Sequence, residues 1–96
     1  MTWWDEQPDQ RRTALAEALN TERDRRYLQY ADGSVGFAAW LLAADRTCVR
    51  HLGASIFDLS DWAWRDAFDA GDPPGAAVRE AVAADDTFGT LLDGTK

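Results

Sequence analysis

The residues of this chain able to do covalent or acid–base chemistry are few: Cys48, His51 and Ser55, with Asp45 the nearest carboxylate in sequence. A nucleophile needs its base within hydrogen-bond reach. On a helix turning about 100° per residue, Cys48 falls on an apolar face while His51 turns away with Arg46, Thr47 and Arg50. No Cys–His or Ser–His–Asp set follows from that spacing. One cysteine and one histidine also exclude the paired zinc patterns. Asp69 and Glu80 are spaced as the first and last ligands of a calcium loop, but Gly71, Pro73 and Pro74 occupy the third, fifth and turn-glycine positions. Gly71 and Gly75 flank two prolines and lack the basic residue of a phosphate loop. The chain is therefore read as a non-enzyme with no cofactor and no metal.

Asp45 sits within the apolar face formed by Phe37, Ala38, Leu41, Leu42, Cys48, Val49 and Leu52. A buried carboxylate without a partner is costly. One of Arg11, Arg12, Arg25 or Arg26, or a helix N-terminus, is expected to meet it.

Binding chemistry has a stronger signal. Asp58, Asp61, Asp66, Asp69 and Asp72 fall in one short stretch with Trp62 and Trp64. On a helix from about 58 to 70, Leu59, Ala63, Trp64, Ala67, Phe68 and Ala70 form the apolar half. Trp62 falls among the acids, one turn from Asp58 and from Asp66. A tryptophan on a polar face buries a large area at small entropic cost, as interface anchors do. The same carboxylates would imitate phosphate spacing against a nucleic-acid-binding groove. They also serve as a solvated face and as helix caps. The expected partner-binding set is Trp62, Asp58, Asp61, Asp66 and Asp69, with Trp40 at the edge of a neighbouring helix. Trp3, Trp4 and Trp40 offer a seam for a homodimer.

These side chains need a scaffold, and helix signals dominate. Pro8 and the strong helix formers of 11–20 mark a first helix, which Thr2 would start earlier if Asp5 or Glu6 completes its cap. Residues 21–37 read two ways. Thr21 with Asp24 resembles a helix start, whereas Asp32-Gly33 between YLQYA and SVGFA resembles a two-residue hairpin. Ser34 caps a core helix from Val35 to Leu52, closed by Gly53. Asp58 or Ser60 caps a shorter helix ended by Gly71. Asp72 caps the last, with Pro73 and Pro74 in its first turn and its end near Ala84. The fold class is all-α, a bundle of three to five short helices, with a short hairpin near residues 27–37 as the open alternative. Residues 1–84 form one domain, and 85–96 are expected to be a frayed tail.

Composition agrees. Ninety-six residues, 46% hydrophobic and 28% charged, make one folded domain. Net charge is −7. Residues 1–50 contribute −1 and residues 51–96 contribute −6. This acidity opposes direct binding to nucleic acid or to an anionic membrane. No run reaches the length of a membrane span, MTWWDEQPD is unlike a signal peptide, and the single cysteine fits a reducing compartment. A cytoplasmic protein is expected.

The outline F-D-L-x-D-W-x-W-R-D-A-F-D-A-G-D-P-P-x-A-A, within residues 56–84, resembles a segment of small helical proteins from actinobacteria and their phages. The matching positions are Asp58, Leu59, Asp61, Phe68, Asp69, Gly71, Pro74, Ala76 and Ala77. The resemblance covers about a third of the chain. It implies a phage or mobile-element context and carries no catalytic or binding residue.

The reading reached is an acidic protein-binding module that occupies a basic surface of a host or phage protein, in its sharper form as a DNA-mimic-like inhibitor. The alternative is a small self-associating assembly factor that uses exposed tryptophans.

Overall fold

The computed structural model describes residues 2–21, 24–59 and 62–85. Six α-helices and the 3₁₀ turn Ile56–Asp58 lie among them, with no strand. The all-α expectation holds.

Helix α1, Trp3–Glu6, is a single turn held by a capping box. The Thr2 hydroxyl accepts the Asp5 N–H at 3.4 Å, and Asp5 Oδ2 accepts the Thr2 N–H at 3.1 Å. That backbone donor, with the Thr2 hydroxyl, holds the Asp5 carboxyl below its ordinary range. Pro8 stops the turn by forcing Gln7 into extended geometry, ψ 143°. The first helix of the sequence reading is therefore two helices, and α2 runs over Asp9–Leu19 with Leu15 and Leu19 facing inward. This break carries the helix count above the expected three to five.

Helix α3 spans Arg25–Tyr30 and settles the ambiguity at 27–37 against the hairpin. Asp32 and Gly33 do take consecutive left-handed conformations, φ 54° and 84°, as a hairpin turn would require. Here they close a helix. The Gly33 N–H bonds to the Leu28 carbonyl at 2.9 Å and the Asp32 N–H to the Gln29 carbonyl at 3.2 Å. That is the Schellman arrangement.

Helix α4, Val35–Leu52, begins at the Ser34 cap and ends at Gly53, φ 70°. It packs against α1, α2, α3, the 3₁₀ turn and the two helices that follow. A central helix is covered around most of its girth, so Phe37 to Leu42 are buried without a break. Trp40 is corrected by this geometry. It lies at the edge of the leucine stripe yet is 0% exposed, with its Nε1–H donated to the Asp72 carbonyl at 2.9 Å. Phe37, Trp64 and Phe68 surround it at centroid distances of 6.2, 6.2 and 6.1 Å. Trp40 is core, not a partner contact. Trp3 is buried as well, so a homodimer seam made of Trp3 and Trp40 would require the fold to open. Trp4 is half-buried and lies over Gly36, where a Cβ would come within 3.1 Å of its ring.

After Gly53 the chain makes the 3₁₀ turn Ile56–Asp58 and then extends at Leu59, ψ 161°. Helix α5 starts only at Trp64 and ends at Asp69. The expected helix from 58 is thus a turn, an extended step and a short helix. Ser60, one candidate cap, lies outside the described residues, and Ala63 rather than Asp58 precedes α5. Gly71, φ 84°, ends α5 as expected, in a second Schellman closure in which the Asp72 N–H reaches the Ala67 carbonyl. Helix α6, Pro74–Ala84, has Pro73 at its N-cap position, not Asp72. Each proline biases its predecessor to extended geometry, so the helix waits for Pro74. Asp85, where the tail was expected to start, is buried; residues 86–96 lie outside the described residues.

Leu41 is 0% exposed. Leu41→Ala should lower unfolding stability by about 2–5 kcal/mol, read by urea or thermal denaturation.

Candidate functional site

Asp45 is 2% exposed and meets four donors. Oδ1 accepts from the Ser55 hydroxyl at 2.7 Å and from the Ile56 backbone N–H at 2.8 Å. Oδ2 accepts from Arg26 Nη2 at 2.9 Å and from the Tyr27 hydroxyl. Both kinds of partner anticipated for it, an arginine and a helix start, are present. The carboxylate ties α3, α4 and the 3₁₀ turn into one unit.

Burial, and then donation to Asp45, pushes the Tyr27 hydroxyl up to about 12. A hydrogen bond to that hydroxyl raises the Arg26 guanidinium further above its ordinary value. A groove of about 420 Å³ opens above the cluster, edged by Asp24, Arg46 and Arg50. Every oxygen of Asp45 is engaged by the fold itself, so the carboxylate positions elements and has no free lone pair aimed at a substrate.

The same unit fixes an aromatic patch. Arg26 lies over the Tyr27 ring at 5.1 Å and over the Phe57 ring at 5.2 Å. Phe57 packs 5.9 Å from Tyr27 and 5.6 Å from Tyr30. Tyr30 rests 6.2 Å from the buried Phe37 ring, and the Arg65 guanidinium lies over that ring at 5.2 Å. Tyr30 is 50% and Phe57 38% exposed. A shallow hollow among Arg26, Gln29, Tyr30 and Phe57 marks the patch. Sequence reasoning missed it because Tyr30 and Phe57 are 27 residues apart and meet only through the Asp45 unit. The pairing of Asp45 with Arg26 was the one sequence signal leading toward it.

The expected acidic site is only partly assembled. Trp62 is half-buried against the core. Asp58 is exposed, but its carboxylate accepts the Ser55 N–H at 3.1 Å as part of a cap. Asp66 and Asp69 are exposed on α5, and Asp69 pairs with Arg65 at 3.3 Å. Asp61 lies outside the described residues. Because α5 begins after Trp62, the helical ring of acids around that tryptophan does not form as drawn.

Cys48 and His51 are separated as expected: Cys48 is buried, which pushes its thiol up, and His51 is on the surface. Among the described residues no group of His, Cys, Asp and Glu is placed to hold a metal ion, and no helix is long and apolar enough to cross a membrane. No protein family, curated protein or solved structure matches the chain.

Tyr27→Phe removes a donor from a buried carboxylate and should cost about 1–3 kcal/mol. A tyrosine whose folded value is raised stabilises fully below its unfolded value near 10 and loses that contribution as pH rises toward 12. The stability difference between wild type and Tyr27→Phe, measured by urea unfolding, should therefore shrink from pH 9 to pH 12. Asp45→Ala should cost on the order of 3 kcal/mol by stranding Tyr27, Ser55 and Ile56 donors. That loss should lower the melting temperature by roughly 12 °C or more.

Proposed function

We propose that this protein is a non-enzymatic binding module that works by occupying the surface of a protein partner, with the Tyr30–Phe57 patch at the centre of contact. The observation that carries this is the exposed aromatic pair, 5.6 Å apart, fixed from behind by Arg26 and the Asp45 unit. Tyrosine and arginine are enriched among the residues that dominate interface energies. Rings held in place before binding lose little conformational freedom on association.

The net charge of −7 supports a partner with a basic rim, because the acidic field would steer the encounter. Asp66 and Asp69 on α5 would contribute to that steering. Arg65, which pairs with Asp69, also stacks on Phe37 beneath Tyr30, so the acidic helix adjoins the aromatic patch. A DNA-mimic role has less support: Asp58 is engaged in a cap and Asp69 faces Arg65. The resemblance of residues 56–84 to actinobacterial and phage proteins suggests a host or phage protein as partner. Self-association through the same patch is the second reading, since Tyr30 and Phe57 supply the exposed aromatic surface that Trp3 and Trp40 do not.

Affinity capture from a host lysate, with light scattering on the purified protein, tests both readings. Tyr30→Ser with Phe57→Ser should leave folding intact and weaken capture of one specific partner by about 2 kcal/mol, roughly thirty-fold. Asp66→Asn with Asp69→Asn should instead slow association at low salt and matter little at high salt. Capture unaffected by the aromatic double variant would reject the patch. A dimer abolished by that variant would make the partner a second copy of the chain.

A further inference from the structure

Away from the aromatic patch, α4 presents Arg46 and Arg50 one turn apart on its exposed side. They form the ridge between two grooves. On one side lies the groove above Asp45. On the other lies a second groove of about 410 Å³, where Arg11 of α2 joins them beside the Thr47 side chain, with Trp3 and Pro74 as apolar wall. Three arginines therefore line one concavity and no carboxylate does among the described residues. In a chain with 17 acids and 10 lysines and arginines, that segregation is unexpected.

None of Arg11, Arg46 and Arg50 has an ion pair among the described residues, whereas Arg12, Arg26 and Arg65 each have one. Like charges one helical turn apart repel. Arg11 is held in position by stacking on the buried Trp3 ring, 5.8 Å from its centroid. The fold thus keeps positive charge together at an electrostatic cost that an anion in the groove would remove. Guanidinium groups favour phosphate because their planar donor sets match its oxygens in pairs.

We infer that the groove between α2 and α4 is a binding site for a compact phosphorylated small molecule carrying at least two negative charges. Its volume, about 410 Å³, lies within the range of roughly 300–1,000 Å³ usual for small-ligand pockets. The net charge of −7 disfavours a long polyanion such as nucleic acid, which must lie along much of the surface. A small ligand meets mainly the local field of the three arginines, because surface charges more than about 10 Å away are screened at 0.1 M salt.

Isothermal titration calorimetry with inorganic pyrophosphate, with adenosine diphosphate and with a single-stranded 20-nucleotide DNA tests this at 20 and 150 mM salt. Circular dichroism checks the fold of each variant. Pyrophosphate or the nucleotide should bind at one site per chain, and Arg46→Gln with Arg50→Gln should weaken that binding at least ten-fold. Arg25→Gln, which removes one positive charge from an exposed residue that does not line the groove, should leave it unchanged. The double variant should melt no lower than wild type, since it removes only exposed, mutually repelling charges. Three outcomes would overturn the site: no binding by pyrophosphate or the nucleotide at millimolar concentration in low salt, equal weakening by Arg25→Gln, or DNA bound more tightly than either small anion.

Discussion

One buried carboxylate organises this protein. Asp45 stands in the middle of the central helix, where an isolated charge would be untenable, and each of its oxygens takes two donors. Those donors come from α3, just before α4, and from the turn that follows it. Satisfying one charge therefore brings together segments that would otherwise be joined only by apolar contact. Apolar packing tolerates sliding; a carboxylate with four directed hydrogen bonds does not.

The exposed aromatic patch depends on this constraint. Arg26 bonds Asp45 with one nitrogen while its guanidinium lies over Tyr27 and Phe57, and Phe57 follows Ile56, whose N–H is another Asp45 donor. The partly exposed rings of Tyr30 and Phe57 are thus fixed by polar contacts beneath them. A second polar anchor, the Trp40 bond to the Asp72 carbonyl, fixes the turn between α5 and α6. Between them the two anchors define the faces of the molecule: aromatic beside the Asp45 unit, arginine-rich where α2 approaches the other side of α4.

Charge is distributed on the same logic. The excess of acid suggests a uniformly negative surface, yet several acids are already engaged: Asp5 and Asp58 in capping boxes, Asp69 with Arg65, Asp45 in the interior. The arginines divide in the same way, some paired and some gathered without an ion pair among the described residues around the groove between α2 and α4. Net charge describes the distant field; it does not say which sign a given concavity presents.

The helical class, the boundaries of α4, the glycine at the end of α5, the need of Asp45 for a cationic or helix-end partner, and the separation of Cys48 from His51 were all legible along the chain. These are local properties, set by caps, proline and glycine geometry, and the period of a single helix. The rest follows from packing between elements. The Asp32-Gly33 pair fits a hairpin turn and a helix end equally well, and only the packing of α3 on α4 selected the second. Trp40 reads as a surface edge when a helix is taken to bury one face, but at that point α4 is covered by α5 and by the turn before α6. The ring of acids around Trp62 depended on an unbroken helix that the capped turn at Ile56–Asp58 and the extended Leu59 interrupt. The Tyr30–Phe57 patch and the three-arginine groove join residues far apart in the chain, and no periodicity encodes a contact of that range.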